Sequence, residues 1–505
     1  MKKSVKYLAL MLGCTAAVTG LSGCGKDKEA VSDGGKPTLS YLMPYCKQDP
    51  NTYATAKMLE NETGYHVEYT MLPQDNPGEK LNLMIASKEP YDIVVVKNDL
   101  RVNWADYANK GALLQLDDMV DKYGANMKKA MKPTSFDLMR IDGKLFGIPT
   151  PSHKPGPKFG YANMLTARKD MLDKIGAKSP ATIDEFTDVL KKFKSNVKLE
   201  NGQDFAPLSI NTDINIPGVV GAFGVPNAWN DVNGKLVHRV EDPRYLDYIK
   251  YLASLYKDGL LDADFPTNKL ATLNEKFSSG RAGMITSYYW DMGSLLDALE
   301  KNVPNGETEF IDALTGPNGD KGIGTTTAAL DRLTFIPKSA KHPEDAMKYM
   351  DMKLSDDLFI KLAIGEEGKH YTVENGEYIP IKPAFFDECS MANEFLTGIN
   401  EETYPKYWQA RVRKDQRVYD SFKYMYLDEE RYNAAIQDPL MFAPVFASDA
   451  NKKIIDQLEN DYFVKVIAGE ENLDSSYEAF LSKWKSEGGE DMTKEVNEWY
   501  ASQKK

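Results

Sequence analysis

Cysteine is scarce in this 505-residue chain, at positions 14, 24, 46 and 389 only. No two of them form a C-x-x-C pair, so zinc clusters and thioredoxin-like redox chemistry lack a ligand set. Histidine is equally sparse: residues 66, 153, 238, 342 and 370 are scattered, and none falls in an H-E-x-x-H motif. The chain also lacks a P-loop and a G-x-S-x-G nucleophile elbow, which leaves nucleotide hydrolysis and serine-hydrolase chemistry without a motif. No run after residue 21 approaches the roughly 18 continuous apolar residues of a membrane span. Basic surplus is missing as well. Lys and Arg number 62 against 75 acids, for a net charge of −13, which becomes three units more negative without residues 1–23. Nucleic acid and anionic lipid both demand basic surfaces, so neither is expected as a partner. The acidity itself reads as solubility.

What the chain does have begins at its N-terminus. Lys2, Lys3 and Lys6 precede an uncharged, mostly apolar run from Tyr7 to Leu21. At about 15 residues it is too short to span a bilayer and reads as a signal peptide over 1–23. Leu21-Ser22-Gly23-Cys24 resembles a bacterial lipobox, implying cleavage before Cys24 and a lipid on its thiol. Residues 24–37 are polar and without periodicity, a flexible tether of up to ~40 Å at ~3.3 Å per residue. The expected location is the extracytoplasmic face of a cell membrane, lipid-anchored rather than spanning. An exported chain can oxidise Cys46 and Cys389, but their spacing does not say whether they meet.

The body alternates strands and helices. TLSYLM (38–43), HVEYTM (66–71) and DIVVV (92–96) read as strands, with helices over 51–63 and 81–87 between them. Such alternation predicts an α/β sheet with helices on both faces, and ligands beyond the carboxyl ends of its strands. Tyr45 and Asn98 stand at two such ends. The Pro- and Gly-rich stretch 150–160 reads as a crossover into a second α/β run. There, Thr182 caps a helix over 182–193 with Glu185 three residues on, and another helix over 242–259 stops at a glycine. ITSYYWDM (285–292) poses a separate problem. Neighbouring strand residues face opposite ways, so one core cannot bury Tyr288, Tyr289 and Trp290 together.

The order of these segments carries a resemblance. DIVVVKNDLRVNWADYANKGALLQL (92–116), DGKLFGIP (142–149), PATIDEFTDVLKKFK (180–194), DPRYLDYIKYLASLYKDGLLDADF (242–265), NEKFSSGRAGMITSYYW (274–290), HPEDAMKYMDM (342–352) and EEGKHYTVENGEYIPI (366–381) are similar to family 1 extracellular solute-binding proteins of carbohydrate ABC importers. The last stretch is similar to the long Gram-positive branch related to alginate-oligosaccharide binders. The resemblance implies a type II periplasmic-binding-protein-like fold, with two α/β lobes joined by hinge crossovers around a cleft. It assigns 38–149 and 330–390 to lobe 1, and 150–329 and 391–505 to lobe 2. The second crossover falls near 325–337.

The resemblance also implies site residues. The family's sugar-stacking tryptophan falls on Trp290, with Tyr288 and Tyr289 beside it. Asp99 matches a sugar-binding aspartate, and Tyr161 lies just past the first crossover. Val96 and Leu100 stand where the family carries an aromatic and an arginine, which argues against a maltodextrin-like ligand. Trp229 precedes a turn in lobe 2. Trp408 and Arg411, in TYPKYWQARVRK (403–414), suit either an acidic sugar or a helix surface. Relatives carry a calcium loop after residue 194. Here Val197, Lys198 and Leu199 replace oxygen ligands, so calcium is disfavoured and no cofactor is expected. The implied function is a monomeric, non-catalytic lipoprotein that passes an oligosaccharide to a separate permease and ATPase. A surface glycoside hydrolase with two cleft carboxylates and a peptide-binding or adhesive lipoprotein remain the alternatives.

Overall fold

The computed structural model describes residues 35–152, 163–199, 203–325 and 329–504. The signal peptide, Cys24, most of the tether and Tyr161 lie outside the described residues. The strand at the centre of the first sheet is an apolar run because it is buried on both faces, whereas the edge strand Val67–Met71 alternates buried and exposed residues. The central strand is Ile93–Lys97, with its first four residues fully enclosed. Leu39–Met43 pairs in parallel with Val67–Met71 on one side and with Ile93–Lys97 on the other. The helix Ala54–Thr63 joins the first two strands and ends at Gly64, whose φ of 70° closes the C-cap. A late strand, Leu330–Phe335, then inserts antiparallel between Ile93–Lys97 and Ile148–Pro151. The first sheet thus reads, edge to edge, 67–71, 39–43, 93–97, 330–335, 148–151.

The second sheet has four strands in the order 308–311, 163–168, 282–288, 206–209. Its helix Ile183–Asn196 starts where Thr182 accepts the Glu185 backbone N–H at 3.2 Å, and Glu185 accepts from Ala181 in return at 2.8 Å. Ile183, Phe186, Val189, Leu190 and Phe193 fall on one face and are buried. Pro243–Lys257, capped by Asp242, packs beside it and against the later helix Lys452–Ile467.

Each sheet has its own apolar core. The first gathers buried residues from 39–148 and 329–410, together with Met441. The second gathers residues from 165–314 and 455–496. Residues 392–410, expected with the second lobe, pack in the first core through Phe395, Leu396, Ile399, Tyr404 and Tyr407. A smaller cluster of Tyr289, Val412, Val418, Phe422 and Tyr426 bridges from there to the second sheet. Cys46 and Cys389 are both buried and unbonded to each other. No helix among the described residues is long and apolar enough to cross a membrane.

Candidate functional site

The three consecutive aromatics are sorted by a break in the strand. Through Ser287 the alternation holds: Ile285 is buried, and the Ser287 hydroxyl is hydrogen-bonded inside to Thr166 at 2.6 Å. A single 3₁₀ turn, Tyr289–Asp291, then replaces the strand and leads into the helix Met292–Asn302. The turn sends Tyr289 inward, edge-on to Phe422 and Tyr426 with ring centroids 5.5 and 5.7 Å away. Trp290 swings the other way and lies flat on Tyr288, 4.7 Å between centroids and 19° between planes. Trp290 remains 45% exposed with Tyr289 edge-on at 5.0 Å, and among the described residues no other ring stacks on the face turned away from Tyr288.

That face borders a cavity of about 890 Å³. Its walls come from both sheets and from the bridging segment. Lys97 closes the carboxyl end of its strand, Leu330 and Asp331 open the inserted strand, and Phe385, Phe386, Asn393 and Glu394 come from the segment that bridges to the second sheet. Trp408, Arg411, Val412, Lys414, Val418 and Tyr426 complete the wall beside Tyr289 and Trp290. A volume of this size, mostly apolar with a few directed polar groups, suits a molecule of several rings.

The polar groups are held in place. Arg332 is buried behind the wall and pairs with both cavity acids: its Nε is 3.2 Å from Asp331, and its Nη1 is 3.0 Å from Glu394. Burial works against the Arg332 charge, but Glu394 and Asp331 outweigh it and hold the guanidinium above its ordinary pKa. Both carboxylates line the cavity and have acceptor capacity beyond their pairing with Arg332. Arg411 is also buried. Its guanidinium donates to the carbonyls of Ala363 (3.1 Å), Cys389 (2.9 Å) and Ser390, and to Asn393 Oδ1 (2.7 Å). It knits the wall together with neutral acceptors. Burial pushes the Tyr289 hydroxyl up to about 12, against the opposing effect of the Trp408 N–H donated to it.

Among the residues singled out in the sequence, Trp290, Tyr289, Trp408 and Arg411 line this cavity, and Tyr288 backs Trp290. Asn98 and Asp99 form a 3₁₀ turn next to Lys97 but do not line it. The Asn98 side-chain oxygen is buried without a partner among the described residues. Tyr45 is 41% exposed and lies off the cavity wall. Trp229 is enclosed in the second core, its ring edge-on to His238 at 4.9 Å. The pairing of Trp229–Val232 with Lys235–His238 turns it inward, away from the cavity. Lys97, Asp331, Phe386, Glu394 and Lys414 were not flagged by sequence reasoning. A strand-end rule extended one residue back would have included Lys97; the others carry no local signal.

The calcium question falls partly on residues 200–202, outside the described ones. Among the described residues no group of three or more His, Cys, Asp or Glu is placed to hold a metal.

Residues 42–357 match the family model of the bacterial extracellular solute-binding proteins. Two proteins of Bacillus subtilis, the lipoprotein LipO and the polygalacturonan/rhamnogalacturonan-binding protein YtcQ, are each 24% identical to this chain over 99% of both lengths. Among solved structures, the Streptococcus pneumoniae ABC-transporter substrate-binding protein FusA in complex with kestose superposes with a TM-score of 0.69. That alignment has 21% identity and covers 92% of this chain and 99% of that one. The shared architecture is the two-lobed type II binding-protein fold.

Proposed function

Since this chain belongs to the bacterial extracellular solute-binding proteins, we propose that its cavity captures an oligosaccharide and delivers it to the permease of an ABC importer. The observation that carries this reading is Trp290: an exposed ring, stiffened by Tyr288, on the wall of a cavity that also holds the paired acceptors Asp331 and Glu394. A pyranose or furanose ring has an apolar C–H face and a rim of hydroxyls. A flat aromatic covers the face, and fixed carboxylates accept from the rim. FusA is solved in complex with kestose, and YtcQ is named for binding polygalacturonan and rhamnogalacturonan. Both ligands are carbohydrates of several rings.

The protein is a carrier without a catalytic step. The family model and FusA, an ABC-transporter substrate-binding protein, support that reading. The permease and ATPase are separate chains, and the binder works as a monomer. A lipid on Cys24 and the tether behind it hold the body at the membrane; LipO, named as a lipoprotein, supports that anchor. The lobes close on the sugar by rotation about the chain crossovers between the two sheets, and ligand favours the closed state by contacting both walls at once. Capture and release suit a micromolar Kd, about −8 kcal/mol.

The test is the melting temperature of residues 25–505 against a panel of neutral and acidic oligosaccharides, with chromatography of the sugar afterwards. Native-state binding raises the apparent melting temperature. A rise with the sugar recovered intact supports the carrier. A rise with the sugar cleaved would make the protein a hydrolase, and a response only to peptides would remove carbohydrate from the account.

A further inference from the structure

The charges around the cavity do not balance in the way the whole chain does. The protein is strongly acidic, yet its cavity wall carries three cationic side chains, Lys97, Lys414 and Arg411, against two acids, Asp331 and Glu394. Both acids pair with a fourth cation, Arg332, immediately behind them, so with Arg332 included four cations face two acids. The third nearby acid, Asp291, sits next to Trp290 with one carboxylate oxygen buried and unpartnered among the described residues, and burial pushes it toward its neutral form. Arg411 spends its donors on neutral carbonyls and an amide and makes no direct ion pair among the described residues, with Glu394 acting on it only from a distance. The side chains of Lys97 and Lys414 are exposed, and among the described residues neither amine has an ion pair or a hydrogen bond, although Lys414 is near enough to Asp291 to oppose the effect of burial on its carboxyl. In a chain with 13 more acids than bases, lysines facing a site are expected to find carboxylates, as Lys110, Lys129 and Lys361 do elsewhere on the surface.

Resting on the reading of the cavity as an oligosaccharide site, we propose that its ligand is an acidic, carboxylate-bearing oligosaccharide, and that Lys97 and Lys414 are the residues that select it over a neutral one. The two amines enter from opposite sides of the chain, one at the end of a first-sheet strand and the other just after the helix Tyr404–Val412. Both line the same cavity as Trp290, so a sugar stacked on that ring has cations within the same site for a carboxylate on its rim. Lysine is a point charge on a flexible stem and grips a carboxylate without imposing a single orientation. Uronic-acid units keep the apolar ring face that Trp290 requires and add one negative charge per ring.

The experiment uses residues 25–505 and isothermal titration with matched pairs of equal length: oligogalacturonides against galacto-oligosaccharides, oligoglucuronides against gluco-oligosaccharides, and oligomannuronides against manno-oligosaccharides. Sulfated galacto-oligosaccharides form a further arm. The expected result is that one uronate binds at least about tenfold more tightly than its neutral match, with an affinity that falls as salt is raised. Lys97→Gln and Lys414→Gln should each reduce that ratio about tenfold, the scale of one charge-assisted hydrogen bond. Lys453→Gln, at an exposed position off the cavity, should leave the ratio unchanged. A neutral sugar that binds as tightly as its uronate, or a ratio untouched in both lysine variants, would overturn the selectivity while carbohydrate binding stands. A preference for the sulfated sugars would overturn the carboxylate assignment. No binding to any sugar would overturn the carbohydrate reading itself.

Discussion

Trp229 and Trp290 are chemically the same residue, and the sequence around each offered a reason to place it in a cleft. Their fates differ because the chain takes a different course after each. After Trp290 a helix begins at once, and the 3₁₀ turn that starts it aims the ring outward. Trp229 begins a two-stranded hairpin whose partner strand ends in His238, and the hairpin closes over its ring against the second core. Trp229→Ala should therefore cost about 3–5 kcal/mol of stability, as for other large-to-small changes in a core. Urea denaturation measures this, and sugar affinity per folded molecule should not move; a weakened affinity at unchanged stability would return Trp229 to the site. At this scale the exposed aromatic was legible because three adjacent rings cannot share one face of a strand. The charged lining was not. Lys97, Asp331, Glu394 and Lys414 lie in four segments of the chain, and only tertiary folding brings them to one wall.

Elements were legible wherever a local rule was strong. The strands 39–43, 67–71 and 93–97 lie within one or two residues of their apolar runs. The helix after Thr182 begins where its hydroxyl and the Glu185 carboxylate satisfy the first free N–H groups. Thr182→Ala should destabilise the fold by about 1 kcal/mol, read as a lower urea midpoint; no change would mean that water replaces the cap at no cost. The inserted strand Leu330–Phe335 is different. The resemblance marks its neighbourhood only as a crossover, and its antiparallel place between two strands that precede it by more than 170 residues is a matter of topology. The same holds for residues 392–410. They form a 3₁₀ turn, an irregular stretch and the start of the helix Tyr404–Val412, and which of two cores takes their apolar side chains is decided by where the chain is delivered.

For the molecule as a whole, function depends on how two cores are joined. Beside the second crossover, Ile323–Gly324 pairs in parallel with Ala435–Ile436, and Asp438 is buried just beyond. Burial pushes its carboxyl up to about 6, more than Lys452 and Arg239 pull it down, although it accepts the Leu440 N–H at 2.7 Å. The folded state therefore holds this proton more tightly than the unfolded chain. The stabilisation is fully present below about pH 4 and is lost as pH rises through about 6. Asp438→Asn keeps the acceptor and removes the charge. Between pH 4 and pH 7 its stability relative to the parent should improve by up to about 3 kcal/mol, from a shift of about two pKa units. Urea curves at the two pH values measure it, and a pH-independent difference would contradict the assignment. The central claim is that the cavity between the two sheets is a carbohydrate site faced by Trp290. It is tested most directly by titrating the oligosaccharide that gives the largest rise in melting temperature against the parent and Trp290→Ala. The account predicts saturable binding to the parent and a loss of about 1–3 kcal/mol in the variant, the contribution of one buried aromatic face, with the fold intact. Equal affinities in two equally folded proteins would contradict it.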